Sequence, residues 1–156
     1  MIKHFTATAF VVQNNKIALH WHSKVCEWLP AGGHVEKNEN PVQAAKREVK
    51  EEMGIDIRII SRSKYNFLEI DNIPSPEVIL LESVFDKNIG KHQHIDFVYF
   101  AVPIENAVKL SNQWKWLDSN ELLSQNKITN FNGLSKSPPE DVIKLGVDAI
   151  KKVQNI

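Results

Sequence analysis

The sequence predicts an α/β (α+β) fold, a mixed β-sheet held between helices, and three observations carry the prediction. Short β-rich runs alternate with three segments of helical pattern. The run Ile95 to Val102 is apolar on both faces, with Ile95, Phe97 and Tyr99 on one and Val98, Phe100 and Val102 on the other, as a central strand covered on both sides requires. The segment 41–53 is bounded by a complete set of helix start and stop signals.

In chain order, Phe5 to Val12 and Lys16 to Trp21 read as strands joined by a hairpin turn at Gln13-Asn14-Asn15. Trp28-Leu29-Pro30-Ala31-Gly32-Gly33 reads as a strand end breaking into a glycine-rich loop, since paired glycines allow backbone angles and close approaches closed to other residues. The helix over 41–53 follows, with Asn40 as N-cap, Pro41 at the first helical position, Gln43 placed to complete a capping box and Gly54 as its stop. Ile55 to Ile60 and Val78 to Phe85 read as further strands, and Asn72 to Pro76 carries turn chemistry between them. After the central strand, Asp118 to Gln125 reads as a short capped helix and Pro139 to Val153 as a longer terminal one, with Ser137 or Pro138 near its start.

With 156 residues the chain is sized for one domain, residues 1–156, able to bury about two thirds of its unfolded surface without disulfides or structural metals. Nineteen basic residues balance 19 acidic ones, so bulk charge favours neither a nucleic-acid duplex nor a membrane as partner. The expected partner is a small molecule whose charge is met locally, with a homodimer as the one protein association considered. Cys26 is the only cysteine, which excludes an internal disulfide and fits a cytoplasmic location. Met1 to Val12 lacks the pattern of a secretory leader, and no apolar segment approaches the length of a membrane span.

The helix 41–53 divides into three arcs when stepped at about 100° per residue. Val42, Ala45, Val49 and Met53 form the apolar arc that must face the core, while Gln43, Lys46 and Lys50 face solvent. Glu48, Glu51 and Glu52 crowd the third arc with Ala44 among them, at the border of the buried face. Like charges at this spacing cost roughly 0.2–0.5 kcal/mol per pair on an isolated helix. An acidic run is ordinarily a solvated face with lysine partners, and Lys46 and Lys50 are available for that role; a purely solvated acidic face would more naturally lie opposite the core.

Gly33, five residues, Glu39, seven residues, then Arg47-Glu48-Val49-Lys50-Glu51-Glu52-Met53-Gly54-Ile55 resembles the complete signature of the Nudix hydrolases. Seven fixed residue types match, a coincidence expected by chance on the order of one time in a million. The signature covers 23 residues, Gly33 to Ile55. Outside it the order of hairpin, glycine segment, helix and strands, with Trp116-Leu117-Asp118 before a late helix, is also similar to that family. The resemblance implies a Nudix-like α/β/α sandwich and a hydrolase that cleaves the pyrophosphate bond of a nucleoside diphosphate linked to another moiety. Nucleoside triphosphates, oxidised nucleotides, nucleotide sugars and dinucleotides all belong to that class.

Residue by residue, the resemblance implies that Glu48, Glu51 and Glu52 coordinate Mg2+, with Mn2+ as a substitute, helped by the carbonyl of Gly32. Hard oxygen ligands of this kind suit Mg2+, which completes its shell with water and substrate phosphates. Arg47 is implied to pair with Glu39 or Glu51 and hold the carboxylates in register. Catalysis is thus expected from Glu48, Glu51, Glu52 and Arg47, and substrate contacts from Trp28, Gly33, Glu39 and Phe67. Trp114 and Trp116 are further aromatic candidates for stacking on a base, although aromatic residues of small domains usually belong to the core. The general base is either Glu48 or a later residue, with Glu82, Asp86, His92 and His94 as candidates.

Two other functional classes and one other metal compete with this reading. A noncatalytic nucleotide sensor on the same fold typically loses carboxylates of the signature, whereas this chain retains them all. A prenyl-diphosphate isomerase needs a further catalytic cysteine and glutamate, and the surroundings of Cys26 give that reading no clear support. The pairs His20/His22 and His92/His94 each share a strand face and offer ligands to zinc, but without a CxxC or HExxH framework the loop or surface reading prevails. Substrate selectivity is expected from loops around 22–28, 61–77 and 86–94.

Overall fold

The computed structural model describes residues 1–61, 65–106 and 108–156. The chain opens with β1 (Lys3–Gln13) and β2 (Lys16–His22), joined through Asn14 and Asn15, whose φ angles of 51° and 59° suit the two-residue turn that matches strand twist. Then come β3 (Glu27–Leu29), β4 (Ala31–His34), α1 (Pro41–Met53), β5 (Ile57–Ile59), β6 (Val78–Asp86) and β7 (Gly90–Pro103). The last third adds β8 (Trp114–Asp118), α2 (Ser119–Leu123), the small ribbon of β9 (Ile128–Thr129) and β10 (Ser135–Lys136), and α3 (Glu140–Gln154).

Eight strands form one mixed sheet around the parallel pair β1 and β7, which runs in register from Lys3 opposite Gln93 to Val11 opposite Ala101. The other edge of β1 carries β4 at Thr6–Ala9, and its last residues turn into β2, which in turn pairs with β3 and β8. On its far side β7 binds β6 and β5, both antiparallel. The predicted central strand is therefore β7, and its two apolar faces are divided between two cores.

Those cores differ in the size of their residues. On one face Ala7, Ala9, Ala18, Ala31 and Ala101 meet Ala44, Ala45, Val42 and Val49 of α1. On the other, Phe10, Leu19, Trp28, Val98 and Phe100 meet Val142, Ile143, Val147 and Ile150 of α3 and Leu122 of α2. Small side chains thus dominate the contact with α1 and large ones the contact with α3. The result is the expected mixed sheet between helices.

The caps of α1 agree with the sequence reading in every detail. Asn40 accepts from the Gln43 amide, Gln43 returns a bond to the Asn40 amide, and Gly54 closes the helix at φ 75°. Asp118 and Glu121 form the same reciprocal box at the start of α2.

The glycine segment differs from expectation. Gly32 and Gly33 lie within β4, paired with Thr8 and Ala7, and neither has a positive φ angle. Their value lies in close approach: a Cβ on Gly32 would stand 2.8 Å from the Ala7 carbonyl oxygen. β3 is the strand end read at Trp28-Leu29, whereas the short strands β8, β9 and β10 are additional to the sequence reading, which had no long alternating pattern to find in them. Asn40→Ala is expected to cost about 1 kcal/mol of stability through loss of the α1 cap, measured by urea denaturation.

Candidate functional site

The site begins where α1 crosses β4. The small-residue seam buries Val42, Ala45, Val49 and Met53 as predicted, and also buries Ala44 completely. The acidic arc is consequently pressed against the sheet edge, with side-chain exposures of 15% for Glu48, 28% for Glu52 and 59% for Glu51. At Gly33 the contact leaves no room for a side chain, since a Cβ there would lie 2.2 Å from Glu48 Oε1.

Gly32 meets the same helix with its backbone. Its amide donates to Glu52 Oε2 at 3.3 Å, so it points away from β1. In an antiparallel ladder the N–H and C=O of one residue point to the same side, so the Gly32 carbonyl also faces the open edge of β4 where Glu52 sits. That places an uncharged oxygen ligand beside the carboxylates.

Arg47 holds this arrangement together. Its Nε and one terminal nitrogen bind both oxygens of Glu39 at 3.2 and 2.7 Å, and the same terminal nitrogen donates to the His34 carbonyl at 2.9 Å. The other terminal nitrogen reaches Glu48 Oε1 at 2.8 Å and Glu51 Oε2 at 3.2 Å. Sequence reasoning offered Glu39 or Glu51 as partner; the structure supplies both, and Glu48 as well. Hydrogen bonding to Arg47 lowers the pKa of Glu39, and the same bond raises that of Arg47. The fork geometry of guanidinium permits this many directed bonds from one cation.

Glu52 receives no such partner from Arg47. Burial, with the charges of Glu48 and Glu51 adding to it, raises its pKa to about 7. His20 Nε2 lies 4.0 Å from Glu52 but is itself pushed down to about 4 by burial and by His22, so it gives no permanent positive charge. A divalent cation would remove this frustration, and the donor set of three carboxylates and a carbonyl suits a hard ion.

Beyond β4 opens a cavity of about 1000 Å3 on the face of the sheet that α3 covers only in part. Gly32, Gly33 and His34 form one wall, and Glu82, His92, His94 and Asp96 line it from β6 and β7. Asp96 is buried and accepts from the Thr6 hydroxyl at 2.8 Å, and burial raises its pKa. Glu82 is raised to about 7 by burial, with Asp96 and Asp141 adding repulsion.

The remaining predicted residues fall into distinct places. Trp28 is 1% exposed, packs edge-on to Trp21 and donates its indole N–H to the Ile128 carbonyl, so it is a core residue with no face open to a substrate. Phe67 is exposed and stacks on Tyr65, outside the cavity lining. Trp114 is buried against His20, and Trp116 packs on the α1 core. Among the later base candidates, Asp86 is committed to the turn, accepting from the amides of Asn88 and Ile89, and His92 and His94 contact each other. Cys26 bonds the Ser23 carbonyl and lies outside the cavity lining. Part of the predicted selectivity loop 61–77, residues 62–64, lies outside the described residues. Sequence reasoning missed His4, His34 and Asp96 as neighbours of the cavity, because only the β4–β1–β7 register brings them to one face.

Two expectations follow from this geometry. Gly33→Ala is expected to displace the Glu48 carboxylate, the flexible end of its side chain, and so to weaken divalent-cation binding about tenfold or more while Tm changes little. Calorimetric titration with Mg2+ reads the first quantity, and unchanged affinity would show that Glu48 needs no such fit. The raised pKa of Glu82 gives the second. Its stabilising contribution is complete below its ordinary value of 4.5 and is lost as pH rises through about 7. Metal-free Glu82→Gln has no such proton to lose, so its Tm should gain on the wild type from about pH 5 to about pH 8. A constant Tm difference across that window would contradict the assignment.

Comparison with known proteins gives consistent results. The NUDIX domain profile matches residues 3–135. A protein of Lactococcus lactis subsp. cremoris named "Probable DHNTP pyrophosphohydrolase" is 33% identical over 106 residues, 68% of this chain and 58% of that protein. An RNA pyrophosphohydrolase of Bartonella henselae is 30% identical over 120 residues, 69% of this chain and 66% of that protein. The chain thus spans somewhat less than two thirds of these relatives' own lengths. A solved structure described as a hydrolase, NUDIX family, from Clostridium perfringens is similar at a TM-score of 0.71 and 27% identity, covering 98% of this chain and 99% of that one. The C. elegans Ap4A hydrolase, at 20% identity and a TM-score of 0.58 over 99% and 98% of the two chains, shows likeness of fold. The profile match extends over most of the sequence and contains the whole Gly33 to Ile55 signature built around Arg47, and the chain belongs to the NUDIX domain family.

Proposed function

We propose that this protein is a divalent-cation-dependent pyrophosphohydrolase that cleaves the diphosphate bond of a small nucleotide or related diphosphate. The observation that carries the proposal is the cluster of Glu48, Glu51 and Glu52, in which Arg47 leaves Glu52 without a cationic partner, beside the outward edge of Gly32, itself part of the wall of a cavity large enough for such a substrate. Both curated relatives carry the word pyrophosphohydrolase in their names, which supports a phosphoric anhydride as the target.

A bound Mg2+ or Mn2+ would supply neutralisation of the pyrophosphate oxygens and a water of lowered pKa. The chain's own residues set the rest. Arg47 holds Glu39, Glu48 and Glu51 oriented, so the ligand carboxylates would need little rearrangement when a cation arrives. Gly33 allows Glu48 to lie against β4, and Gly32 turns its carbonyl to the same edge. We assign Glu82 as acceptor of the attacking water's proton, because of the later candidates it is the carboxylate within the cavity that is not tied to a turn. The retained carboxylates and their ordered support argue against a purely sensory module, and the position of Cys26 outside the cavity argues against isomerase chemistry.

The test is a panel of nucleoside triphosphates, oxidised nucleotides, nucleotide sugars and dinucleotides incubated with Mg2+, with release of phosphate, pyrophosphate and nucleoside monophosphate measured. Turnover that chelator abolishes is expected for at least one member. Glu52→Gln should lower kcat about 100-fold or more with the fold intact. Near-wild-type turnover in that variant would sink the metal assignment, and Glu82→Gln should lower kcat without raising KM if Glu82 takes the proton. Tight nucleotide binding with no turnover across the panel would favour the sensor.

A further inference from the structure

Four histidines converge on the cavity side of the sheet, and the proposed hydrolysis uses none of them. His4 on β1 stands in register with His94 on β7, His92 lies two residues before His94 on the same face, and His34 sits at the end of β4 opposite Thr6. Strand alternation puts His4, His92 and His94 on one side of the sheet together with Thr6 and Asp96. The side chains then meet. One ligand nitrogen from each of His4, His92 and His94 lies within 4.8 Å of the others, and the ring centroids of His4 and His34 are 5.1 Å apart.

We propose that His4, His92 and His94, completed by His34, form a site for a transition-metal ion of the Zn2+ class, separate from the carboxylate site of α1. Imidazole nitrogen is a borderline-soft ligand that favours Zn2+, Cu2+ or Ni2+ over Mg2+. Chemistry therefore separates the two sites as well as position.

Two of the nitrogen spacings match those of a coordination shell. His92 Nε2 lies 3.2 Å from His94 Nε2, and His34 Nε2 lies 3.3 Å from His4 Nδ1. A tetrahedral ion with Zn–N bonds of about 2.0–2.1 Å separates its ligand atoms by roughly 3.3–3.4 Å. Two edges of such a tetrahedron are therefore present.

The tautomer of His92 also fits. Its Nδ1 contacts the Gly90 carbonyl at 3.0 Å, and since a carbonyl only accepts, Nδ1 carries the proton and Nε2 presents its lone pair to the cluster. Ligating histidines are ordinarily fixed in this way, by donating the other ring N–H to a carbonyl or carboxylate.

The fold gives such an ion a structural role. Its ligands come from three neighbouring strands, β4, β1 and β7, near the start of β1. His34 follows the Gly32-Gly33 pair, and its carbonyl accepts from Arg47. An ion there would pin the edge of β4 on which the carboxylate site is built.

The experiment uses metal-free full-length protein with Mg2+ in excess, so that the carboxylates of α1 are filled, and titrates Zn2+ alone against a chromophoric chelator. One tightly held equivalent is expected, with X-ray absorption showing imidazole nitrogen at about 2.0–2.1 Å. His4→Gln and His92→Gln should each weaken binding about tenfold or more. Should His92→Gln fail to fold, His34→Gln, at an exposed position, and His4→Gln, at a half-buried one, decide the matter. Absence of chelator-resistant Zn2+, an oxygen-only spectrum, or full affinity in His4→Gln would overturn the proposal. None of these outcomes depends on whether the protein hydrolyses a diphosphate.

Discussion

The approach of α1 to the edge strand β4 is the constraint on which the rest of the site depends. It is set by volume: alanines on β1, β2, β4, β7 and α1 form a thin core layer, and Gly33 removes the last side chain that would hold helix and strand apart. A thicker layer would leave Glu48 and Glu52 on a solvated helix face. As built, they reach the rim of β4, where a backbone amide and a backbone carbonyl are free to meet them. The large residues beneath α3 fill the opposite face of the sheet.

Charge explains the second layer of organisation. Carboxylates at this density repel, and Arg47 answers for Glu39, Glu48 and Glu51 while Glu52 is left with a raised pKa. Three anions gathered by one cation leave an excess of negative charge that is partly desolvated, which is costly without further compensation. The proposed divalent ion would answer this charge deficit of the protein itself. The crowding also explains why guanidinium and not ammonium occupies position 47, since only the planar fork bonds three carboxylates and a carbonyl in fixed directions.

Much of this was legible in the sequence, and the reasons differ by residue. Asn40, Pro41, Gln43 and Gly54 act locally, each within one turn of α1, so their spacing alone defines the helix. The apolar run 95–102 revealed a central strand because its burial on both faces is written in adjacent residues. Gly32 and Gly33 were misread as a loop because glycine serves both positive φ and close approach, and only the tertiary contact tells which applies. Trp28 resembled a ligand contact for a similar reason: an indole serves a core and a base equally well, and its partner, the Ile128 carbonyl, is 100 residues away.

The histidines show the same limit from the other side. His92 and His94 share a strand face by simple alternation, whereas His4 and His34 join them only through the parallel register of β1 with β7 and the antiparallel register of β1 with β4. A shift of one residue in either pairing would turn His4 or His34 to the opposite face and dissolve the cluster. That register is in turn fixed by burial, because the same shift would exchange Phe10 and Val12 with the alanines of the α1 face and destroy both cores. The packing that brings Glu48 to Gly33 therefore also decides which imidazoles meet at the start of β1, so that the carboxylate pocket and the histidine cluster are two consequences of one sheet register.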